Sequence, residues 1–139
     1  MYTYQEEKNI VNALKHQCCL SQLMDCLIEN VSHFKGFEQN GRVVFYQEQL
    51  HSRVNCALDE FVSMVNWIYP DKLFTFHQGY VEQTPCTWKQ YVKFKFDSIP
   101  FTIMLSITIQ LGSFTAYDAN HPEKSGVIKL KWEYPEDDK

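Results

Sequence analysis

The rhythm of apolar residues changes at Pro70, and that change restricts the chain to a mixed architecture. Before it, Ile10, Leu14, Leu20, Leu23, Met24, Leu27, Val31 and Phe34 recur at steps near three and four. Leu50, Val54, Ala57, Leu58, Phe61, Val65 and Ile68 keep the same step. Such spacing lines up one face of a helix with about 3.6 residues per turn. After Pro70 the step becomes two, the repeat of a pleated strand with one buried side. The pattern predicts an α+β fold, two amphipathic N-terminal helices packed on a C-terminal antiparallel β-sheet.

The first helix is expected from about Thr3 to Phe34. Thr3 stands as its N-cap and Glu6 follows three residues later, the spacing at which each side chain reaches the other's backbone N–H. Gly36 and the Asn40-Gly41 pair are read as its end, because both favour positive φ. A helix of this length would span roughly 45 Å, more than a small sheet can cover, which points to a homodimer or a larger complex. The second helix is expected from about Tyr46 to Ile68, where Pro70 biases Tyr69 out of helical geometry. Arg42–Tyr46 fits either a short strand or that helix's first turn.

Leu73–His77 is the first expected strand, followed by a connection over Tyr80–Thr87 that contains Pro85 and has room for a brief strand at its start. Trp88–Phe96 alternates, with Val92, Phe94 and Phe96 on one side and Lys89, Tyr91, Lys93 and Lys95 on the other. Phe101–Leu111 alternates most strongly, its Ile103, Leu105, Ile107 and Ile109 opposed to Met104, Ser106, Thr108 and Gln110. Asp97-Ser98-Ile99-Pro100 between these two makes a hairpin the simplest connection. A polar loop through Asp118, Asn120, His121-Pro122 and Gly126 leads to a last strand, Val127–Tyr134. The expected domain spans 1–134, with a short acidic tail at 135–139.

At 139 residues, 45% apolar and 22% charged, one core is expected and wholesale disorder is not. The start, MYTYQEEKN, has neither a basic segment nor an apolar one of the secretory kind, and no run is long enough to span a membrane. The five cysteines (Cys18, Cys19, Cys26, Cys56 and Cys86) form an odd set with three on helical apolar positions. That usage suits reduced thiols in an intracellular compartment, cytoplasmic or nuclear.

No motif for chemistry stands out. Cys18 and Cys19 diverge on a helix, Cys19 and Cys26 are about two turns apart, and the five histidines show no paired spacing, so no metal site or cofactor is expected. Cys86 lies in a turn, and catalysis there would require a histidine or cation that no spacing supplies. Phosphate-binding glycine loops and hydrolase motifs are absent from the sequence.

Charge is more informative. Residues 1–84 carry six basic and ten acidic groups (−4), residues 85–132 six and three (+3), and 133–139 one and four (−3), which sums to the net −4. Lys89, Lys93 and Lys95 with Tyr91, and Lys129 with Lys131, fall on the outward sides of two strands. Lysines there also keep a sheet soluble and discourage edge pairing. The function expected is a non-catalytic protein–protein interaction module, a small adaptor or complex subunit. Its candidate contacts are Lys89, Tyr91, Lys93, Lys95, Lys129, Lys131 and, on the first helix, Ile10 and Leu14. Its partner would be another protein or a second copy, with no membrane. One alternative is nucleic acid on the lysine-bearing face, where aromatic and basic side chains suit single strands. Another is a ligand or enzymatic pocket lined by Phe61, Trp67, Phe76 and Trp88.

The assignment of strand faces is testable. Ile107→Asp places an unpaired charge in the core and should cost more than about 4 kcal/mol, whereas Thr108→Asp should cost less than about 1 kcal/mol. Thermal melts followed by circular dichroism separate the two, and equal melting would mean that the faces are wrongly assigned.

Overall fold

The computed structural model describes residues 17–32, 37–39, 42–44, 47–71, 73–84, 87–97, 102–110 and 128–133, together with helical backbone at Gln5, Lys8, Asn9, Asn12 and Ala13. Two helices, α1 (Gln17–Ser32) and α2 (Gln47–Ile68), flank a two-stranded hairpin of β1 (Phe37–Gln39) and β2 (Arg42–Val44). Four longer strands follow: β3 (Phe74–Gln83), β4 (Thr87–Phe96), β5 (Ile103–Gln110) and β6 (Ile128–Glu133). They form one antiparallel sheet in the order β3-β4-β5-β6, so every chain neighbour is also a spatial neighbour.

The helical stripes do what their spacing predicts. Leu20, Leu23, Met24, Leu27 and Val31 of α1 are buried, as are Leu50, Val54, Ala57, Leu58, Phe61 and Val65 of α2. They share one cluster with the inward residues of the sheet, Phe74, Trp88, Val92, Phe94, Phe96, Ile103, Leu105, Ile107, Ile109, Ile128 and Leu130. Phe61 joins the layers, edge-on to Phe74 at 6.3 Å and to Phe94 at 5.9 Å between ring centroids. Helix α2 meets β3, and α1 meets α2 and β6.

The passage from α2 to β3 is built by one side chain. Asn66 Nδ2 donates to the Phe74 carbonyl at 2.8 Å, and the Phe74 N–H donates to Asn66 Oδ1 at 2.6 Å. Leu73, just before, takes φ 48°, a left-handed conformation costly for a branched residue. Its carbonyl accepts the Asp97 N–H at 3.1 Å, which ties the turn to the end of β4.

Two sequence expectations are corrected, and one that stood open is resolved. Asn40-Gly41 does not simply end a helix: it sits between β1 and β2, whose register closes at Gln39↔Arg42. An Asn-Gly pair between strands is a two-residue hairpin signal, since both central residues of that turn need positive φ. Arg42–Val44 is accordingly strand. The first β-element of the large sheet does not stop at His77 but runs to Gln83, through a register shift between Gln78 and Val81. Described α1 begins at Gln17, and the proposed cap, Thr3 with Glu6, lies outside the described residues, as do the loop from Asp118 to Gly126 and the acidic tail.

The irregularity in β3 has a polar anchor. Gln90 of β4 points inward with no exposed surface. Its Oε1 accepts from Gln78 Nε2 at 2.9 Å and its Nε2 donates to the Gly79 carbonyl at 3.0 Å. Gln78 Nε2 also donates to the His51 carbonyl of α2 at 3.4 Å. A buried amide is tolerable when its donor and acceptor are both used. Glycine is required at 79, because a Cβ there would stand 2.9 Å from the Tyr91 carbonyl oxygen.

Asn66→Ala should destabilise the domain by about 1–3 kcal/mol, because it leaves the Phe74 N–H and carbonyl without their side-chain partner. Urea denaturation measures this, and an unchanged midpoint would show that the turn does not depend on Asn66.

Candidate functional site

Alternation and register together build the outer face of the sheet. The ladders pair His77 with Lys93, Lys93 with Met104 and Met104 with Glu133. A second row runs Tyr91, Ser106, Lys131, and a third runs Glu82, Lys89, Thr108, Lys129. Thr75 and Lys95 pair at the end of the β3–β4 ladder. With strands about 4.8 Å apart, Lys89 and Lys129 stand about 10 Å from each other at the backbone. Five lysines and two glutamates thus share one surface (+5 − 2 = +3), on a protein whose net charge is −4. The helices carry the opposite sign, with Asp25 and Glu29 in α1, Glu48, Asp59 and Glu60 in α2, and Arg53 as their one basic residue.

The relief of this face follows from side-chain length. Ser106, on the central strand, is only 4% exposed because longer neighbours overhang it, and its Oγ donates to the Lys131 carbonyl at 3.5 Å. Ser106 and Thr108 lie at the lining of a depression of about 360 Å³, together with Lys89, Lys129, Lys131 and Glu133. Lys93, Lys129 and Lys131 are exposed. Lys89 lies with its Nζ 5.1 Å from the Tyr91 ring centroid, an aromatic–cation contact. Its pKa is raised, chiefly by its hydrogen bond with the Tyr91 hydroxyl. Tyr80, thrown out by the irregularity in β3, sets its ring 5.4 Å from that of Tyr91. The Lys95 ammonium reaches the Phe96 carbonyl at 3.3 Å.

Every lysine expected at the site, with Tyr91, therefore lies on one face. Ile10 and Leu14 lie outside the described residues. The alternation of β4 and β6 suffices to find the lysines. It does not find Tyr80 or Glu82, which join the face only because β3 continues past Gly79 with a shifted register. The residues expected to line a ligand pocket do not share a wall. Phe61 and Trp88 are sealed in the core, Phe76 is half-buried, and Trp67 is 84% exposed at the end of α2. At that position the helical repeat has passed beyond the sheet it covers. Ile68 and Leu73 are exposed as well.

Other chemistry finds little footing. Among the described residues no three His, Cys, Asp or Glu side chains gather to hold a metal ion, and no helix is long and apolar enough to cross a membrane. Cys86 lies outside the described residues. Cys26, on α1, is half-buried beside Glu60. Burial pushes its thiol up to about 11, and the Glu60 carboxylate adds to this through its charge and hydrogen bond, with smaller contributions from Asp25 and Glu29. Asn30 Nδ2 donates to the Cys26 carbonyl at 2.8 Å and reaches Glu60 Oε1 at 3.4 Å. Thiol chemistry requires the thiolate, so this environment makes Cys26 inert.

At pH 8 about one part in a thousand of Cys26 is thiolate. Iodoacetamide should therefore alkylate the exposed Cys56 at least about tenfold faster than Cys26, read by peptide mass mapping of the native protein. Equal rates would mean that Glu60 and burial do not hold the Cys26 proton.

No family model, curated protein or solved structure matches the chain.

Proposed function

We propose that the chain is a non-catalytic protein–protein interaction module, a small adaptor or complex subunit. Its docking surface is the lysine-bearing outer face of the sheet, and its partner is a protein presenting an acidic surface. The observation that carries this reading is the gathering of Lys89, Lys93, Lys95, Lys129 and Lys131 on one face of a chain that is acidic elsewhere. Complementary fields steer encounter and fix orientation, and a face of one sign on a molecule of the other gives both. The helices serve as the backing layer that holds the sheet's inner side. An intracellular site of action belongs to the same reading, which draws on the odd cysteine set and on Cys26 and Cys56, neither of which is in a disulfide.

Protein is favoured over nucleic acid by what the face contains besides lysine. The aromatic rings that a base would need, Tyr80 and Tyr91, lie against each other, and Lys89 is engaged with Tyr91. Glu82 and Glu133 stand where a phosphate backbone would cross two rows.

The test uses a fluorescent peptide rich in Glu and Asp and a uridine-rich RNA of equal charge, titrated at about 150 mM salt. The peptide should bind, and the joint variant Lys93→Glu, Lys129→Glu, Lys131→Glu should weaken it at least about tenfold, or 1.4 kcal/mol, while melting like the parent. RNA binding tighter than the peptide would transfer the face to nucleic acid, and binding of neither would remove it as a docking surface.

A further inference from the structure

The two borders of the sheet differ. On the β3 side the ladder slips between Gln78 and Val81, and Gly79 lies against the Tyr91 carbonyl. Such an irregularity breaks the repeat that an incoming strand would need. On the other side, β6 pairs with β5 without interruption from Ile128 to Glu133, and among the described residues no strand lies beyond it. A straight outer strand presents a row of N–H and carbonyl groups ready to pair.

The side chains of β6 say what kind of strand would pair. Its inward residues, Ile128 and Leu130, are buried and Trp132 is half-buried, so the inner side of the border is apolar. The Trp132 Nε1 is buried there without a hydrogen-bond partner among the described residues, although a buried indole N–H ordinarily finds an acceptor. Its outward residues, Lys129 and Lys131, are exposed. Lysine on a border strand guards against indiscriminate pairing, because a neutral or basic newcomer would crowd or repel the ammonium groups. A newcomer with carboxylates at those positions meets the reverse condition, since opposite charges directly across a ladder attract.

We propose that β6 receives an extended segment of the partner as a fifth, antiparallel strand, alternating acidic residues opposite Lys129 and Lys131 with apolar residues beside Leu130 and Trp132. The inference rests on the reading of the lysine face given above and adds the geometry of the bound segment. Main-chain hydrogen bonds supply affinity in this mode, and the alternate side chains supply selectivity.

The probe is a fluorescent hexapeptide of alternating Glu and Val, capped at both ends. Two relatives carry N-methyl groups on either the three Glu or the three Val amides. In a strand successive amides point to opposite borders, so one relative loses the N–H groups that face β6 and the other keeps them. The parent should bind, one relative should bind at least about tenfold more weakly, and the other should bind like the parent. Lys129→Glu with Lys131→Glu should weaken the parent about tenfold or more. If both relatives bind like the parent while charge reversal still weakens binding, strand addition is overturned and docking on the face stands. If the parent does not bind, or binds regardless of charge reversal, the face itself fails, and strand addition with it. The modification is carried by the peptide, so folding of the protein does not enter the comparison.

Discussion

Side chains on neighbouring strands share a face only while their register holds, and here the decisive register is that of β4 with β5. Phe94 lies across from Ile103, Val92 from Leu105 and Trp88 from Ile109, while Lys93 faces Met104 and Lys89 faces Thr108. A slip of one residue would exchange these sets and bring ammonium groups under the helices. Burial of the phenylalanines beneath Phe61 opposes that slip, so the same packing that forms the core also presents the lysines. Stability and surface charge are therefore two results of one alignment. A slip of register at β4 would disturb both at once.

The helical layer completes this arrangement electrically. The helices pack on the inner side of the sheet and the lysines lie on its outer side, so the −4 of the whole chain conceals an uneven distribution. Net charge alone would have turned attention away from an anionic partner. Distribution matters more than sum, because a Debye length near 8 Å screens one side from the other at physiological salt.

Strong alternation made β4, β5 and β6 readable within a residue or two, and the three-four spacing did the same for α2. The lysine face followed from the strands alone. What escaped depended on local backbone chemistry. Asn40-Gly41 signals a hairpin turn as well as a helix end, and the short β1 and β2 lack the alternation that would decide. Past His77 the strand continues although its period fails, because the shift near Gly79 reverses which residues point inward. Gln90, a polar residue in an otherwise apolar inward series, gives no hint in sequence that Gln78 and Gly79 will satisfy it. Aromatic character argues for placing Trp67 indoors, yet it lies near the C-terminus of α2, beyond that helix's last buried residue, Val65. Side-chain type predicts burial only where another layer is present to bury it.

The register shift that Gln90 anchors in β3 has a consequence for assembly. A sheet with two straight rims can recruit neighbours indefinitely, which is the route to fibres. This one has a spoiled rim and a sound one. A second copy joined to the first through β6 would leave only the two irregular β3 rims outermost, so that growth by this pairing halts at the dimer.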